Sequence, residues 1–229
     1  MSSVPYRIRR SDRARRARIQ VSADGVEVVV PRRLPMREVE PFVEEKRPWI
    51  ERTLRRMRQA EAEHSPPLLE DGGEVHYLGE RLSLRLLVEP GRSRAHVARR
   101  GDTLHVKIAK PGPEALREAL EGWYRRRARD EVAPRLDGAS ARAGTPYTTL
   151  QIRGQRTRWA SCSSTGAMSF NWRLLLAPPE ILDYVIEHEV VHLEIHNHSP
   201  KFWAELERRV PGYRAHEEWL KRHGQSLRL

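Results

Sequence analysis

Cysteine is almost absent from this sequence of 229 residues, since Cys162 is the only one. A single thiol excludes an intramolecular disulfide and a zinc site built mainly from thiolates. It also suits a reducing compartment, so we expect a cytoplasmic protein. At this length the chain can bury a core without covalent cross-links.

Long apolar runs are also lacking. The sequence turns polar and basic within a few residues of Met1, so we expect no secretory signal peptide. The most apolar stretch, residues 174–182, is interrupted by Pro178, Pro179 and Glu180 and is too short to span a bilayer. We therefore expect a protein without a membrane partner.

Lysine is scarce, whereas arginine is abundant: of the 42 basic residues, only five are lysines. The formal net charge of +11 would attract phosphates, nucleic acid or acidic peptides. Genome base composition can produce such an arginine bias as readily as selection for binding can. Nucleic-acid binding is therefore kept as an alternative and is not the favoured property.

Strand patterns dominate the first half of the chain. Predicted strands cover residues 16–21, 26–30, 74–78, 82–88, 95–98 and 104–108, and Asp24-Gly25 is a hairpin signal. Helical periodicity covers residues 36–63 and 113–132, and Pro41 and Pro48 predict a break or kink in the first helix. Residues 65–73 read as a linker.

Short strands give way to helices in the second half. Strands are predicted at 148–153, 158–161 and 168–174, and helices from Pro179 to about residue 196, from Pro200, and at 213–222. This order predicts an α+β fold. We divide it into a β-rich N-terminal half with one long helix, residues 1–110, and a catalytic half, residues 111–229.

Residues 188–198 read HEVVHLEIHNH and contain a metal-binding pattern. On a helix, His188 and His192 lie one above the other and can direct their ring nitrogens to one ion. Glu189 shares much of that face and can reach a water on the ion, as in the HExxH motif. We predict one zinc ion, although other divalent metals could bind, with Glu189 as general base.

A catalytic zinc ion usually takes a third protein ligand and keeps its fourth position for water. His196 is the first candidate, but it stands eight residues after His188, about 12 Å along a helix. Each zinc–nitrogen bond is only about 2 Å long. One straight helix therefore cannot bring both side chains to the same ion.

His198 can reach the ion if the helix ends before it. Asn197 is suited to the left-handed conformation of a helix cap, and Ser199-Pro200 can begin the next helix directly afterwards. We therefore predict His198 as the third ligand. The fallback ligands are Glu205 and Glu207.

Three further segments make the sequence resemble a known family. They read RTRWASCS at residues 156–163, NWRLLLAP at 171–178 and HEVVHLEIHNHSPKFW at 188–203. Over roughly residues 13–222 the chain resembles the YgjP-like metal-dependent hydrolases, zincins related to the SprT and WLM metallopeptidases. The resemblance implies a zincin-like fold, with His188, His192 and His198 as zinc ligands and Glu189 as the catalytic glutamate.

The resemblance leaves the substrate open, because the family is classed with peptidases and some relatives are described as pyrophosphatases of uridine triphosphate. Trp159 could line a cleft, and an extended peptide could add to an exposed edge strand, for which 158–161 is the best candidate. Four arginines flank the predicted site and could bind phosphate or the acidic groups of a peptide: Arg153, Arg156, Arg158 and Arg173.

We therefore predict a zinc-dependent hydrolase of the metallopeptidase type. One alternative is a metal-dependent nucleotide pyrophosphatase. The other, from a different class, is a basic nucleic-acid-associated protein whose zinc is structural. Cys162, Trp172 and Trp203 are interpreted as packing residues.

Overall fold

The computed structural model describes residues 5–22, 25–63, 68–155 and 157–229. It confirms the predicted α+β class, with small sheets and, in the described residues, five α-helices. The chain forms two compact units, Met1–Ser65 and Pro66–Leu229. Within the second unit, the strands at residues 74–108 share one hydrophobic core with the helices that follow them.

The first unit is a three-stranded sheet with one long helix. Strands β1 (Tyr6–Ser11), β2 (Arg18–Ser22) and β3 (Gly25–Pro31) have the order β1-β3-β2, with β3 parallel to β1 and antiparallel to β2. The predicted hairpin is present, although Asp24 of its turn lies outside the described residues. The cluster that joins the sheet to the following helix contains Val26, Val28, Val30, Val39, Val43 and Ile50.

That helix, α1 (Val39–Glu63), follows a short 3-10 turn at Met36–Glu38. It continues through Pro48, and Pro41 lies in its first turn, where a backbone N–H has no partner within the helix. The predicted break is therefore absent. Burial of Val43 and Ile50 on the sheet offsets the hydrogen bond that Pro48 cannot make.

The second unit begins with a four-stranded sheet. Strands β4 (Glu74–Tyr77), β5 (Glu80–Val88), β6 (His96–Arg100) and β7 (Thr103–Ile108) have the order β4-β5-β7-β6. Alternate residues of β7 are buried, and they join the core to which α2 (Pro113–Ala143) contributes. The helix extends 11 residues beyond the predicted end at Val132, because Leu136 and Ala139 continue its buried face.

A second small sheet carries the predicted edge strand. Strands β8 (Thr149–Arg153), β9 (Ala160–Cys162) and β10 (Ala167–Asn171) have the order β8-β10-β9, so β9 lies at an edge. β10 ends earlier than predicted because the Asn171 side chain accepts a hydrogen bond from the backbone N–H of Arg173, which caps a 3-10 helix. The remaining helices are α3 (Pro179–Val191), α4 (Pro200–Arg209) and α5 (Tyr213–His223).

Helix α3 is the most buried helix segment near the predicted site. From Ile181 to Val191 every residue is buried except Asp183 and His188. A helix that is apolar almost all round lies inside a core and is held on all sides. Within the described part of the chain, no helix combines the length and apolarity needed to cross a membrane.

Candidate metal centre

Helix α3 and the turn after it carry the first two histidines. His188 lies in the last turn of α3, and His192 is the residue that closes it. Their ring centroids are 5.1 Å apart. The four-residue spacing places both imidazoles on the same face, as expected for a helix.

The chain then turns back through tight hydrogen-bonded turns. The N–H of Leu193 donates to the carbonyl of Val190 at 3.0 Å, and the N–H of Ile195 donates to that of Val191 at 2.9 Å. The helix ends about five residues earlier than predicted, so the return needs no left-handed residue. The predicted left-handed conformation of Asn197 is wrong, because Leu78 is the only described non-glycine residue with positive φ.

Asn197 contributes to the return in a different way. Its side-chain oxygen accepts a hydrogen bond from the Ser199 N–H at 3.2 Å, immediately before α4 begins at Pro200. This local bond fixes the backbone on both sides of His198. The imidazole of His198 reaches back so that its Nε2 lies 3.1 Å from Nε2 of His188.

Three imidazoles therefore converge. Each of His188, His192 and His198 offers one nitrogen, and these nitrogens lie within 4.8 Å of one another. Nitrogens bound to one tetrahedral zinc ion at about 2.0–2.1 Å are about 3.3 Å apart. The separation of 3.1 Å between His188 and His198 is close to that value, so the residues present fit a zinc ion.

Protonation of the rings also favours metal binding. Burial, together with the neighbouring imidazoles, lowers the pKa of His188 to about 3, and burial lowers the pKa of His192. Both rings are thus neutral at neutral pH, which is the form that binds metal. Nδ1 of His192 lies 3.0 Å from the Ile195 carbonyl, which can only accept, so Nδ1 carries the proton and Nε2 is free to bind.

Phe202 holds the three rings together, and sequence reasoning missed it. Its ring centroid lies 4.9 Å from His188, 4.5 Å from His192 and 4.6 Å from His198, and the side chain is fully buried. Phe202 and Leu206 are the buried residues of α4 and stand four residues apart. The i, i+4 spacing of these two apolar residues, just after the helix start at Ser199-Pro200, could have indicated that Phe202 is buried.

Glu189 is buried beside the edge strand. Burial raises its pKa to about 7, while a hydrogen bond from the backbone N–H of Cys162 and the charge of Arg158 act in the opposite direction. The carboxyl group thus lies against β9, on the helix that carries the histidines. A carboxyl group with a pKa near the working pH is suited to take and return a proton.

A cluster of ion pairs joins α3 to α2 and α4. The carboxylate of Glu187, next to His188, lies 2.6 Å from Arg142 of α2 and 3.5 Å from Arg209 of α4. Arg209 also binds Glu205 at 2.6 Å, and only 8% of its side chain is exposed. Because Glu187 and Arg209 are both largely removed from water, each depends on its partner.

We expect Arg209→Met to destabilise the protein by about 3 kcal/mol, because it removes the buried cation of the cluster and leaves the buried Glu187 carboxylate paired with Arg142, whose side chain is 68% exposed. Urea unfolding monitored by circular dichroism measures the effect. Arg208→Met is the matched control on the same helix, since Arg208 is 68% exposed and pairs with Glu205 alone. It should cost less than about 1 kcal/mol. Equal losses from the two variants would contradict the importance of the buried pair.

The fallback ligands are engaged elsewhere. Hydrogen bonds from Arg208 and Arg209 lower the pKa of Glu205 to about 2, against the opposing effect of burial. Glu207 accepts a hydrogen bond from the backbone N–H of Gly212 at 3.0 Å. His196 is exposed and does not belong to the histidine cluster.

Among the three described arginines of the four predicted near the site, Arg158 is the one whose charge lowers the pKa of Glu189, and its side chain is exposed. Arg153 binds the side chain of Gln151 at 2.6 Å on β8, the edge opposite β9. Arg173 stacks on Trp172 with 4.5 Å between its guanidinium carbon and the ring centroid. Arg156 lies outside the described residues.

Trp159, the predicted cleft residue, is half-buried. Its ring packs against Gly224 so closely that a Cβ there would lie 2.9 Å from the ring. Trp203 instead lies beside the metal-binding cluster, with its ring centroid 5.3 Å from that of His198. Trp203 also stacks on Tyr213 at 5.4 Å, so it links α4 to α5.

Three histidines whose ring nitrogens lie within 4.8 Å of one another are a ligand set of the kind that metal-dependent hydrolases use. The chain belongs to the YgjP-like family: the model of the YgjP-like metallopeptidase domain matches residues 15–223. No curated protein matches the chain.

Two solved structures are similar over part of the chain. The metallopeptidase zymogen abylysin of Pyrococcus abyssi is 26% identical, covers 39% of this chain and 90% of its own, and has a TM-score of 0.36. The zymogen jannalysin of Methanocaldococcus jannaschii is 24% identical, covers 39% of this chain and 91% of its own, and has a TM-score of 0.35.

Proposed function

We propose that the protein is a zinc-dependent peptidase in which His188, His192 and His198 bind the metal and Glu189 is the general base. The observation that carries this proposal is the convergence of three imidazole nitrogens within 4.8 Å on and beside a buried helix. The neutral state of the His188 ring and the burial of Glu189 on the same helix support it.

The ligand set supports a catalytic ion over a structural one. Within the described residues the group of potential ligands contains three histidines and no fourth side chain. A structural zinc site has four protein ligands, whereas a catalytic site leaves one position for water or substrate. His198 is exposed, so the open position can face solvent.

Zinc, when bound, would lower the pKa of a water molecule to about 7 and polarise the scissile carbonyl group. Glu189 takes the proton of the attacking water and delivers it to the nitrogen of the leaving amine. The N–H of Cys162 orients the Glu189 carboxylate from β9. Phe202 maintains the relative positions of the three rings.

Strand β9 offers a place for an extended peptide next to Glu189. Trp159 and Ser163 bond to β10, since Asn171 N–H donates to Trp159 O at 2.7 Å and Ser163 N–H donates to Ala167 O at 2.9 Å. In an antiparallel ladder every second residue directs its backbone groups away from the partner strand, so Ala160 and Cys162 face outward whereas Ser161 faces β10. Ala160 therefore presents its N–H and C=O at the free edge, where a substrate strand can pair.

A peptide suits the described residues better than a nucleotide does. A triphosphate needs several convergent cations, and only Arg158 among the described candidates acts on Glu189. Arg153 and Arg173 are engaged with Gln151 and Trp172. An edge strand beside the base, by contrast, matches the backbone of an extended peptide.

The direct test compares the two substrates. The metal-free protein, reconstituted with one equivalent of zinc, is assayed against a fluorescently labelled unstructured protein and against uridine triphosphate. Zinc-dependent cleavage of the protein substrate with no release of pyrophosphate is expected. Hydrolysis of uridine triphosphate alone would reject the peptidase and support the nucleotide alternative.

We expect Ala160→Pro to lower kcat/KM for a peptide about tenfold or more, because proline removes the outward N–H that pairs with substrate. A lost pairing of about 1.4 kcal/mol corresponds to that factor. Steady-state kinetics measure it, and thermal unfolding and zinc content verify that the fold and the site persist. Ala160→Val keeps the N–H and should retain kcat/KM within a few-fold. Equal kinetics for the proline and valine variants would exclude pairing at Ala160.

A further inference from the structure

We propose that the sheet of the first unit binds the phosphate backbone of duplex nucleic acid, a property separate from the peptidase site. The first 33 residues contain nine arginines and three acidic residues, so they carry +6 of the net charge of +11. This charge is concentrated in about one seventh of the chain. A concentration of that kind is not explained by a uniform arginine bias and indicates an anionic partner.

The register of the strands places arginines on the face opposite α1, which we call the basic face. Val26, Val28 and Val30 pack with α1, so the alternate residues Glu27 and Val29 point the other way, and Val29 itself is fully buried. Arg9 of β1 and Arg18 of β2 lie on the two sides of Val29, and Arg7 lies beside Glu27. The three arginines thus flank the central strand of one surface.

Most of these cations are available for a ligand. Arg9 pairs with Glu27 at 2.9 Å, and its side chain is 49% exposed. The described residues include six exposed arginines in this region that have no acidic partner: Arg7, Arg13, Arg15, Arg16, Arg18 and Arg33. Guanidinium groups bind phosphate oxygens through paired hydrogen bonds, so an array of them suits a polymer of phosphates.

The composition of the basic face favours a duplex over other polyanions. Single-strand binding surfaces use exposed aromatic rings on which bases stack, and the basic face carries none. Membrane-surface binding relies on exposed apolar anchors beside the charges. The one exposed large hydrophobic residue of β1, Ile8, is paired with Val28 and so lies on the α1 side.

The test measures binding of full-length protein to a fluorescent 20-base-pair DNA duplex by anisotropy at several salt concentrations. We expect the triple variant Arg7→Gln, Arg9→Gln, Arg18→Gln to bind at least about tenfold more weakly at low salt. The slope of log affinity against log salt is negative, and each lost phosphate contact reduces its magnitude by about 0.9, so the slope should become less steep by about 2 to 3.

A matched control distinguishes an effect of the basic face from an effect of the overall net charge. The triple variant Arg85→Gln, Arg94→Gln, Arg100→Gln removes the same charge from exposed positions of the second unit. It should change affinity less than about threefold. Equal losses from the two triple variants, or no binding of the wild-type protein to the duplex at low salt, would overturn the proposal.

A substitution that makes the basic face more positive provides a second test. Glu27→Gln removes the acidic side chain that the described part of the basic face carries and releases Arg9, so it should tighten duplex binding several-fold. Vesicles with 30% phosphatidylserine and a single strand of the same sequence complete the experiment. Tighter binding to either of these than to the duplex would contradict the assignment.

Discussion

Replacing Glu189 with glutamine is expected to lower turnover of a peptide substrate about 100-fold or more while zinc remains bound, because general-base catalysis contributes at least that factor. Glutamine preserves the size of the side chain but cannot take a proton at the carboxyl position. It also removes a carboxyl group that burial makes costly to ionise, so the fold should not be weakened. Single-turnover kinetics with the zinc-loaded variant measure the effect.

Glu180→Gln provides the matched control, since Glu180 is exposed in the first turn of the same helix. Its turnover should equal that of the wild-type protein. Zinc content measured on the same samples separates a lost base from a lost metal. Turnover within a few-fold of wild type in zinc-loaded Glu189→Gln protein would remove Glu189 from the mechanism.

His198→Ala is expected to weaken zinc binding by more than about 100-fold, because removing even a partner of a ligand costs 10–100-fold. His198 is exposed, so its removal should leave the fold intact and change the metal site alone. Competition with a chromogenic zinc chelator measures the affinity. Activity at limiting zinc should fall in parallel.

The control for this substitution lies two residues away. His196 is also exposed but does not belong to the cluster of ring nitrogens. His196→Ala should therefore retain zinc affinity within a few-fold. A loss of zinc in the His196 variant together with retention in the His198 variant would reverse the proposed assignment.

The elements around the site could be predicted because each has a local signal. Pro179 and Pro200 mark the starts of α3 and α4, and alternation marks β7 and β8. The end of α3 could not be predicted. Leu193 and Ile195 continue the helical spacing of apolar residues, although the helix has already ended before them. The edge strand β1 was missed because three of its six residues are exposed arginines.

The three histidines could be proposed as metal ligands from their spacing. The side chain that packs against all three rings could not be predicted. Phe202 contacts all three rings through packing between α4 and the end of α3, and no local pattern reports a contact between segments. For the same reason, the contacts of Arg153 and Trp159 could not be predicted from the sequence. Their neighbours, Gln151 and Gly224, are set by strand position and by the C-terminal turn.

The zinc coordination of the purified protein tests the central claim most directly. X-ray absorption at the zinc edge, recorded after addition of one equivalent of zinc, gives the number, type and distance of the ligands. We predict three imidazole nitrogens at about 2.0–2.1 Å and one oxygen from water. Failure to take up zinc, or a closed site with four protein ligands, would contradict the account.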